Sequence, residues 1–397
     1  MTAIRDAVVV GAGPAGVAIS IFLRQRGRDV LLLDAARFPR DKVCGEGVSP
    51  EAWRLLTALD AAERVERLAP WPLRGMALTS PDGTQFVGRY TGSARPGFAL
   101  RRHALDQSLV EAAAAAGVEI RQERRVTALL LEEGQVRGVV AEGPAGPGTI
   151  RARLTVGADG RRSVVARHLG LLHEHARLRK FAVRGYWEGV AGLGELGEMH
   201  VGGGGYCGIA PLSSSAANVA FVLDQDEMRE AAGDLEGFYR RALRRWPRLF
   251  HRLSAASLLE PPRAIGPLAI VARRLFAPGA LLVGDAGGFF DPFTGEGVTL
   301  ALRTAEIAAP FSEQYLDSGD PDALLRYDAA RHAATRDKFR VNRLLQHVVG
   351  WPGLANLMAR KLKRRPDLAD RLVGIAGDFV PARTALDARF LARLLFA

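Results

Sequence analysis

Cysteine is scarce in this chain of 397 residues, which contains only Cys44 and Cys207. Two cysteines are too few for a disulfide framework or a cysteine metal cluster, so we predict no metal site and expect a reducing compartment, the cytoplasm. Long apolar runs are also lacking, because glycines and a proline interrupt residues 8–23 before the run reaches the ~20 residues of a membrane-spanning helix. The first residues lack the basic stretch, apolar core and cleavage site of a signal peptide.

Negative charge is in deficit, with 43 Asp and Glu against 54 Lys and Arg, which gives a formal net charge of +11. A basic balance is typical of proteins that bind nucleic acid, anionic membranes or acidic ligands. The arginines are scattered along nearly every predicted helix, which argues against a nucleic-acid interface. Residues 357–365 (LMARKLKRR) combine apolar and basic side chains and predict a peripheral membrane contact of the C-terminal helices. A solvated helix face also fits this pattern.

The first chemical motif lies in a tight turn between a predicted strand and a predicted helix. Gly11, Gly13 and Gly16 form a G-x-G-x-x-G pattern with Ala15 inside it, and glycines at this spacing let a pyrophosphate approach the helix N-terminus. Asp34 ends the second strand, where an acid binds the adenosine ribose of such cofactors. The motif predicts a dinucleotide site but does not separate FAD from NAD.

Two later segments separate these cofactors. Asp159 and Gly160 follow one buried strand, and Gly284 and Asp285 follow another. Both segments resemble the Asp-Gly and Gly-Asp signatures of the flavoenzyme class that includes para-hydroxybenzoate hydroxylase and the geranylgeranyl reductases. The resemblance implies that the Asp285 carboxylate binds the ribityl chain of FAD, a polyol that NAD lacks.

The same resemblance implies two further cofactor contacts. Arg102 stands in the Arg-x-x-Leu position that the class uses beside FAD, and Val126, at the start of a predicted meander, completes this part of the site. The alternatives are a solvated helix-start arginine at Arg102 and helix-capping roles for Asp159 and Asp285.

A proline- and glycine-rich segment opens the long helix that follows. It contains Pro292, Gly295, Glu296 and Gly297, and Val298 lies in the first helical turn. This arrangement is expected to place unpaired backbone N–H groups and the positive end of the helix dipole beside the flavin, where they stabilise the charge of the reduced ring. A purely structural turn is the alternative.

Residues 38–50 (FPRDKVCGEGVSP) closely resemble the corresponding segment of the geranylgeranyl-reductase family, and the likeness covers most of the chain to about residue 308. In that family the segment follows the cofactor. The resemblance therefore implies that Arg40 neutralises an FAD phosphate and that Cys44 and Gly45 approach the isoalloxazine ring. Cys44 is a candidate reactive or proton-donating thiol, with a small packing residue as the alternative.

The family also carries a Tyr-x-Trp-x-Phe-Pro motif on its substrate sheet, of which this chain keeps the tyrosine, Tyr206, and the proline. Gly208 and Ala210 replace the tryptophan and the phenylalanine, which predicts a wider pocket wall. Both tryptophans of the flavin-halogenase motif Trp-x-Trp-x-Ile-Pro are missing here, so halogenation is not predicted. Thr299 stands where aromatic hydroxylases commonly have asparagine, and Glu296 stands between two glycines as in the reductases.

These motifs predict an α/β fold. A Rossmann-type FAD-binding domain, glutathione-reductase-like and of the para-hydroxybenzoate hydroxylase type, is interleaved with an antiparallel β-sheet substrate domain and followed by a helical C-terminus. The predicted boundaries are residues 1–75, 97–170 and 270–325 for the FAD-binding domain, 76–96 and 171–269 for the substrate domain, and 326–397 for the C-terminal helical region.

The leading functional hypothesis is a reductase that passes a hydride from reduced FAD to a carbon–carbon double bond of an apolar isoprenoid-, lipid- or polyketide-like molecule. Tyr206 and Cys44 are the candidate catalytic residues, as proton donors. The alternative is a monooxygenase that hydroxylates or epoxidises such a molecule through a flavin hydroperoxide. A non-catalytic flavoprotein is a third interpretation. The sequence shows no second G-x-G-x-x-G domain, so the electron donor is NAD(P)H bound transiently or a separate carrier protein.

Overall fold

The computed structural model describes residues 4–144, 146–174, 179–289, 291–388, 390 and 392–393. Two large sheets and two small ones are covered by helices. In chain order the helices are α1 (Pro14–Gln25), α2 (Ala52–Ala58), α3 (Ala62–Glu66), α4 (Arg102–Ala115), α5 (Val164–His168), α6 (Gln225–Met228), α7 (Leu235–Leu243), α8 (Pro247–Leu253), α9 (Gly297–Ser318), α10 (Asp322–Gly350), α11 (Pro352–Arg364) and α12 (Pro366–Ala376).

The strands are mostly short, and several pair with partners distant in sequence. In chain order they are β1 (Arg5–Val10), β2 (Val30–Leu33), β3 (Gly47–Val48), β4 (Trp71–Leu73), β5 (Gly75–Thr79), β6 (Gln85–Arg89), β7 (Gly97–Ala99), β8 (Glu119–Arg121), β9 (Arg125–Glu132), β10 (Gln135–Gly143), β11 (Gly146–Gly157), β12 (Leu172–Glu174), β13 (Lys180–Glu188), β14 (Gly197–Gly202), β15 (Gly205–Pro211), β16 (Ala217–Asp224), β17 (Ser257–Leu258), β18 (Arg263–Ile265), β19 (Ile270–Ala272), β20 (Phe276–Ala277) and β21 (Ala280–Leu282).

The first large sheet has the strand order β20-β21-β11-β1-β2-β8, and its strands from β21 to β8 are parallel. Ala7, Val8 and Val9 of the central strand β1 are fully buried, as expected of a parallel strand that is covered on both faces. The turn from β1 into α1 lies at the carboxyl end of this strand, which is where open α/β sheets bind their ligands. The antiparallel strands β9 and β10 extend β11 as the predicted meander.

The second large sheet has the order β17-β13-β16-β15-β14-β5-β6, and its neighbours are antiparallel except for β14 and β5. Because side chains alternate along each strand, its two faces have different partners. One face, which includes Cys207 and Phe221, packs against α7 and α8. The other face, which includes Met199 and Tyr206, packs against Phe293 in the segment that precedes α9.

The C-terminal helices close the structure around the second sheet. α12 packs on β6, α10 packs along α9, and α11 contacts both α10 and β6. The predicted fold class is confirmed, since the parallel sheet, the interleaved second sheet and the helical C-terminus are all present. The exact domain boundaries stay a prediction.

One exposed apolar side chain marks the junction of α10 and α11. Trp351 is 73% exposed there, and Leu357 on α11 is also exposed. Within the described ranges we find no helix that combines the length and the apolar character needed to cross a bilayer. Peripheral membrane contact through α11 stays a prediction.

Candidate flavin site and substrate cavity

A cavity of about 740 Å³ lies between the two large sheets. Tyr206 and sixteen of the nineteen predicted cofactor residues line it. Those sixteen are Gly11, Gly13, Ala15, Asp34, Arg40, Cys44, Gly45, Arg102, Val126, Asp159, Gly160, Asp285, Pro292, Gly295, Gly297 and Val298. The other three, Gly16, Gly284 and Glu296, do not line it.

The dinucleotide turn has the geometry that its sequence predicts. Gly11 has a φ of +101°, a conformation that glycine adopts without strain. The backbone N–H of Ala12 donates to Asp34 Oδ2 at 2.7 Å, so the turn and the carboxylate fix each other. α1 begins after Gly13 with no side-chain cap and no acidic residue in its first turn. Its N–H groups and the positive dipole end are therefore available to a pyrophosphate.

Gly16 and Gly284 act by letting chain segments approach one another. A Cβ atom at Gly16 would overlap the carbonyl oxygen of Gly11. A Cβ atom at Gly284, where φ is +59°, would lie 2.7 Å from the Cβ of Ala15. Both glycines are required for packing around the cavity, and neither contributes to its surface.

The Asp285 carboxyl faces the cavity and accepts no hydrogen bond from any described residue. Burial raises the pKa of this carboxyl, and nearby cations, Lys42 first among them, partly oppose the increase. A carboxyl without an intramolecular partner is suited to accept hydrogen bonds from a bound polyol. This observation fits the ribityl role that the sequence predicts.

The N-terminus of α9 opens into the same cavity. Gly295, in a left-handed conformation with φ +70°, precedes the helix, and Gly297 and Val298 line the cavity at its first turn. No side chain caps this helix and no acidic residue lies in its first turn. The site thus has two uncapped helix N-termini, one for a pyrophosphate and one for a ring that becomes negative on reduction.

Glu296, predicted as a cofactor residue, is instead buried outside the cavity wall. Its carboxylate lies 2.7 Å from the Lys338 ammonium of α10, and the same ammonium forms an ion pair with Asp378, just after α12. Burial raises the pKa of Glu296, and the charge of Lys338 opposes this increase. The loop before α9 is therefore fastened to the C-terminal helices.

Asp106, which the sequence analysis missed, organises the two arginines of the site. Both Asp106 oxygens accept hydrogen bonds from Arg102, each at 2.8 Å, and Arg40 lies 3.2 Å from one of them. The carboxylate is fully buried. Arg102 and Asp106 are four residues apart on α4, and this helical spacing was the signal that could have identified Asp106.

Asp159 is only partly a cap. Its Oδ2 accepts the backbone N–H of Val164 at 2.6 Å, which supports the start of α5, while its Oδ1 is buried without a partner among the described residues. Burial raises the pKa of this carboxyl. The Asp159 side chain thus combines the capping interpretation with a free acceptor at the cavity.

The Cys44 thiol and the missed residue Glu46 lie on the same stretch of the cavity wall. Cys44 Sγ accepts the N–H of Glu46 at 3.4 Å. Glu46 is fully buried in a left-handed conformation, φ +61°, and its Oε1 accepts hydrogen bonds from the Tyr186 hydroxyl and from the N–H of Arg102. Its Oε2 has no partner among the described residues. Burial raises the pKa of Glu46, and its hydrogen bonds from Tyr186 and Arg102 oppose this increase.

Tyr206 belongs to a buried polar chain that the sequence did not predict. Its hydroxyl donates to Asp291 Oδ1 at 2.6 Å, and the Lys180 ammonium lies 3.6 Å from the other oxygen of that carboxylate. The Tyr206 ring packs edge-on against Phe293 with centroids 5.0 Å apart. Burial raises the pKa of Tyr206, and the neighbouring carboxylate raises it further, so the hydroxyl keeps its proton.

Around Tyr206 the wall is apolar. Met76, Met199 and Val222 line it together with the small residues Gly208 and Ala210. The nearest atom to a Cβ added at Gly208 is the methyl carbon of Met199 at 3.6 Å, which is ordinary contact, so a Cβ at this cavity-lining position would fit without displacing a neighbour. The structure therefore agrees with a wall from which bulk has been removed.

The donor set fits FAD as a whole: an acid at the ribose end, an uncapped helix for the pyrophosphate, a free carboxyl for the ribityl chain, and a second uncapped helix for the ring. Among the described residues we find no group of His, Cys, Asp and Glu arranged to hold a metal ion. The fold and the site together define an FAD-dependent oxidoreductase.

Comparison with known proteins supports this class. The FAD binding domain family matches residues 5–340, and the chain belongs to that family. Within it, the chain belongs to the geranylgeranyl-reductase family, as predicted. It is 30% identical over 330 residues to digeranylgeranylglycerophospholipid reductase 2 of Methanopyrus kandleri, with 81% of each chain covered. It is 28% identical over 409 residues to the menaquinone reductase of Mycolicibacterium smegmatis, covering 98% of this chain and 94% of that one.

A solved structure shows the same fold. A flavin-dependent brominase superposes with a TM-score of 0.83 over 94% of both chains, at 20% sequence identity. At this identity the likeness concerns the fold alone, and chemistry has to be argued from the site.

Proposed function

We propose that this chain reduces a carbon–carbon double bond of an apolar, isoprenoid-, lipid- or polyketide-like molecule. The observation that carries the proposal is that the flavin-binding segments meet an apolar wall that contains the buried, protonated hydroxyl of Tyr206. Bound FAD supplies the hydride in this chemistry, after NAD(P)H or a reduced carrier protein has provided the electrons. The names of the two relatives, both reductases, add support.

The chain's own residues supply the proton. Tyr206 gives its hydroxyl proton to the second carbon of the double bond, and the phenolate is reprotonated through Asp291 and Lys180. Lys180 is partly exposed and donates to Gln346 at 2.6 Å, so this path has an end near solvent. Burial raises the pKa of Asp291, although Lys180 opposes the increase, and a carboxyl with a raised pKa is able to carry a proton.

The apolar wall positions the substrate and excludes water. Met199, Val222 and Leu268 pack with Tyr206 in one buried cluster. A double bond held against this cluster would be close to Tyr206 and shielded from solvent, which limits side reactions of the reduced cofactor. Cys44, on the stretch of wall formed by residues 40–49, is the second candidate proton donor and stays a prediction.

Replacing Tyr206 by phenylalanine tests the proposal. The FAD-loaded protein is reduced without oxygen and mixed with an unsaturated isoprenoid lipid, while flavin absorbance and the mass of the product are followed. We expect Tyr206→Phe to retain its FAD and to transfer the hydride about a hundredfold more slowly, because a general acid contributes rate factors of this order. Tyr239→Phe is the control, since Tyr239 is equally buried but its hydroxyl binds Val219 O on the helix-covered face.

Two results would contradict the proposal. Wild-type protein that reduces none of a panel of unsaturated lipids and quinones, yet yields an oxygenated product when O₂ is admitted, would establish the monooxygenase instead. Equal rates for Tyr206→Phe and wild type would exclude Tyr206 as the donor while leaving the reductase reaction intact.

Filling the space beside Gly208 should change substrate range. A tryptophan at this position would project from β15 into the cavity, so we expect Gly208→Trp to raise the KM for bulky lipids by about tenfold or more with normal FAD content. Gly208→Ala is the matched control, because the added Cβ has room. Unchanged KM values for every accepted substrate in the tryptophan variant would show that the substrate lies elsewhere.

A further inference from the structure

A second cavity, of about 540 Å³, lies beside the flavin cavity. Its walls come from distant parts of the chain: Lys42, the turn after β11, the start of β13, the segment around α6, and the end of β18 with the residue that follows it. Four of its lining side chains are basic, namely Lys42, Arg161, Arg162 and Arg229, and we call this cavity the basic pocket.

The charge of the basic pocket favours an anion. Four cations and one carboxylate, Asp159, line the pocket, and that carboxylate already accepts the backbone N–H of Val164. Two carboxylates outside the lining also act on these cations: Asp285 on Lys42 and Arg161, and Asp226 on Arg229 at 3.4 Å. Arginine and lysine are the side chains that bind phosphoryl oxygens most strongly, because their hydrogen bonds are charge-assisted. The pocket therefore has an excess of donors suited to a phosphoryl group.

Two of the cations are fixed in place by the backbone. Arg162 donates to the carbonyl oxygen of Gly266 at 3.1 Å, and Arg161 donates to the carbonyl oxygen of Pro267. A carbonyl oxygen orients a guanidinium without neutralising it. Lys42 forms no ion pair with any described residue; burial lowers the pKa of its ammonium, and the Asp285 carboxylate partly opposes this decrease.

The basic pocket adjoins the flavin cavity. Lys42, Asp159, Arg161 and Arg162 line both spaces. In contrast, none of the dinucleotide-turn residues 11–16 lines the basic pocket, and neither does Arg40, whose guanidinium lies beside Gly13. The basic pocket is therefore separate from the place where the pyrophosphate of the cofactor would meet α1.

We propose that the basic pocket binds the phosphoryl group of a second ligand that comes to the flavin. Two sources share this chemistry, the phosphates of a nicotinamide dinucleotide that delivers electrons and a phosphate head group on the apolar substrate. The proposal rests on the proposed function only in requiring that a second ligand reaches the flavin. The phosphoryl group would anchor its ligand at the cleft between the domains, with the reacting part extending toward the flavin cavity.

Inorganic pyrophosphate is the first probe, titrated calorimetrically into the oxidised, FAD-loaded protein. We expect saturable binding. The affinity should fall about tenfold in Arg162→Gln and about tenfold in Arg229→Gln, because each substitution removes a charge-assisted contact. The double variant carries both substitutions. Arg67→Gln is the matched control, since Arg67 is also an exposed arginine beside an acidic residue on a short helix, α3. FAD content should be unchanged in Arg229→Gln and in Arg67→Gln, because neither side chain lines the flavin cavity.

The two sources are separated by competition. If pyrophosphate slows anaerobic flavin reduction by NADPH or NADH in wild type but not in the double variant, the dinucleotide is the ligand. If pyrophosphate slows only the reaction of the reduced flavin with an isoprenoid diphosphate, the substrate is the ligand. Equal pyrophosphate affinity in wild type and double variant would overturn the proposal, and so would a loss of pyrophosphate binding that parallels a loss of FAD. The calorimetric result needs no turnover, so it stands or falls independently of double-bond reduction.

Discussion

Replacing Gly16 by alanine is expected to abolish FAD binding and to destabilise the fold by about 3 kcal/mol, the upper range for forcing an atom into a packed site. The new Cβ would overlap the carbonyl oxygen of Gly11, and backbone atoms cannot move aside as a flexible side chain can. α1 would be pushed away from β1, and the N–H groups of its first turn would be displaced from the cofactor. Denaturant midpoints and the flavin-to-protein absorbance ratio measure both effects.

Gly13→Ala is the matched control for this change. The φ of Gly13 is −75°, which alanine adopts readily, and the nearest atom to an added Cβ is a terminal nitrogen of Arg40 at 3.7 Å. The fold should therefore keep its midpoint, whatever happens to cofactor affinity. A Gly16→Ala protein with wild-type stability and full FAD content would show that the turn is not packed as described.

Asp285→Ala is expected to weaken FAD binding by more than about a hundredfold while the fold persists, because hydrogen bonds to a charged group contribute roughly 1.5–3 kcal/mol each and a ribityl chain offers two to one carboxylate. The carboxyl accepts no hydrogen bond from the described residues, so its loss leaves no protein donor without a partner. Fluorescence titration of the apoprotein with FAD gives the dissociation constant.

Asp285→Asn separates shape from charge. The amide keeps one acceptor oxygen in the same place but cannot interact with the nearby cations as a carboxylate does, so its affinity should lie between those of wild type and the alanine variant. Alanine protein that is purified yellow and fully loaded would refute the ribityl assignment.

The cofactor half of the site was predictable from sequence because its determinants are local. Gly11 and Asp34 belong to one strand-turn-helix-strand unit, so a short spacing is enough to place them, whereas the role of Asp285, which follows β21 after two residues, was inferred from the resemblance to the flavoenzyme class. The motif did not reveal what each glycine does, however. Gly16 belongs to the same G-x-G-x-x-G motif as Gly13, and Gly284 belongs to the Gly-Asp signature. Both glycines allow close packing between chain segments, and neither lines the cavity.

The substrate half was less predictable because its contacts join distant parts of the chain. Tyr206 was identified through its motif, but its hydrogen bond to Asp291 spans 85 residues and leaves no periodic signal in the sequence. Lys180 and the basic pocket depend equally on how the two sheets are placed together. Asp106 differs, since its four-residue spacing from Arg102 was available and was overlooked.

The two ends of the flavin site are completed at different times during protein synthesis. The dinucleotide turn and Asp34 lie within the first tenth of the chain. Lys338 forms an ion pair with Glu296, in the loop before α9, and a second ion pair with Asp378, which is synthesised near the end of the chain. A nascent chain on the ribosome can therefore form the nucleotide end long before the ring end is secured. Since domains fold progressively during translation, the loop before α9 acquires its full set of ion pairs only after the C-terminal helices have been made.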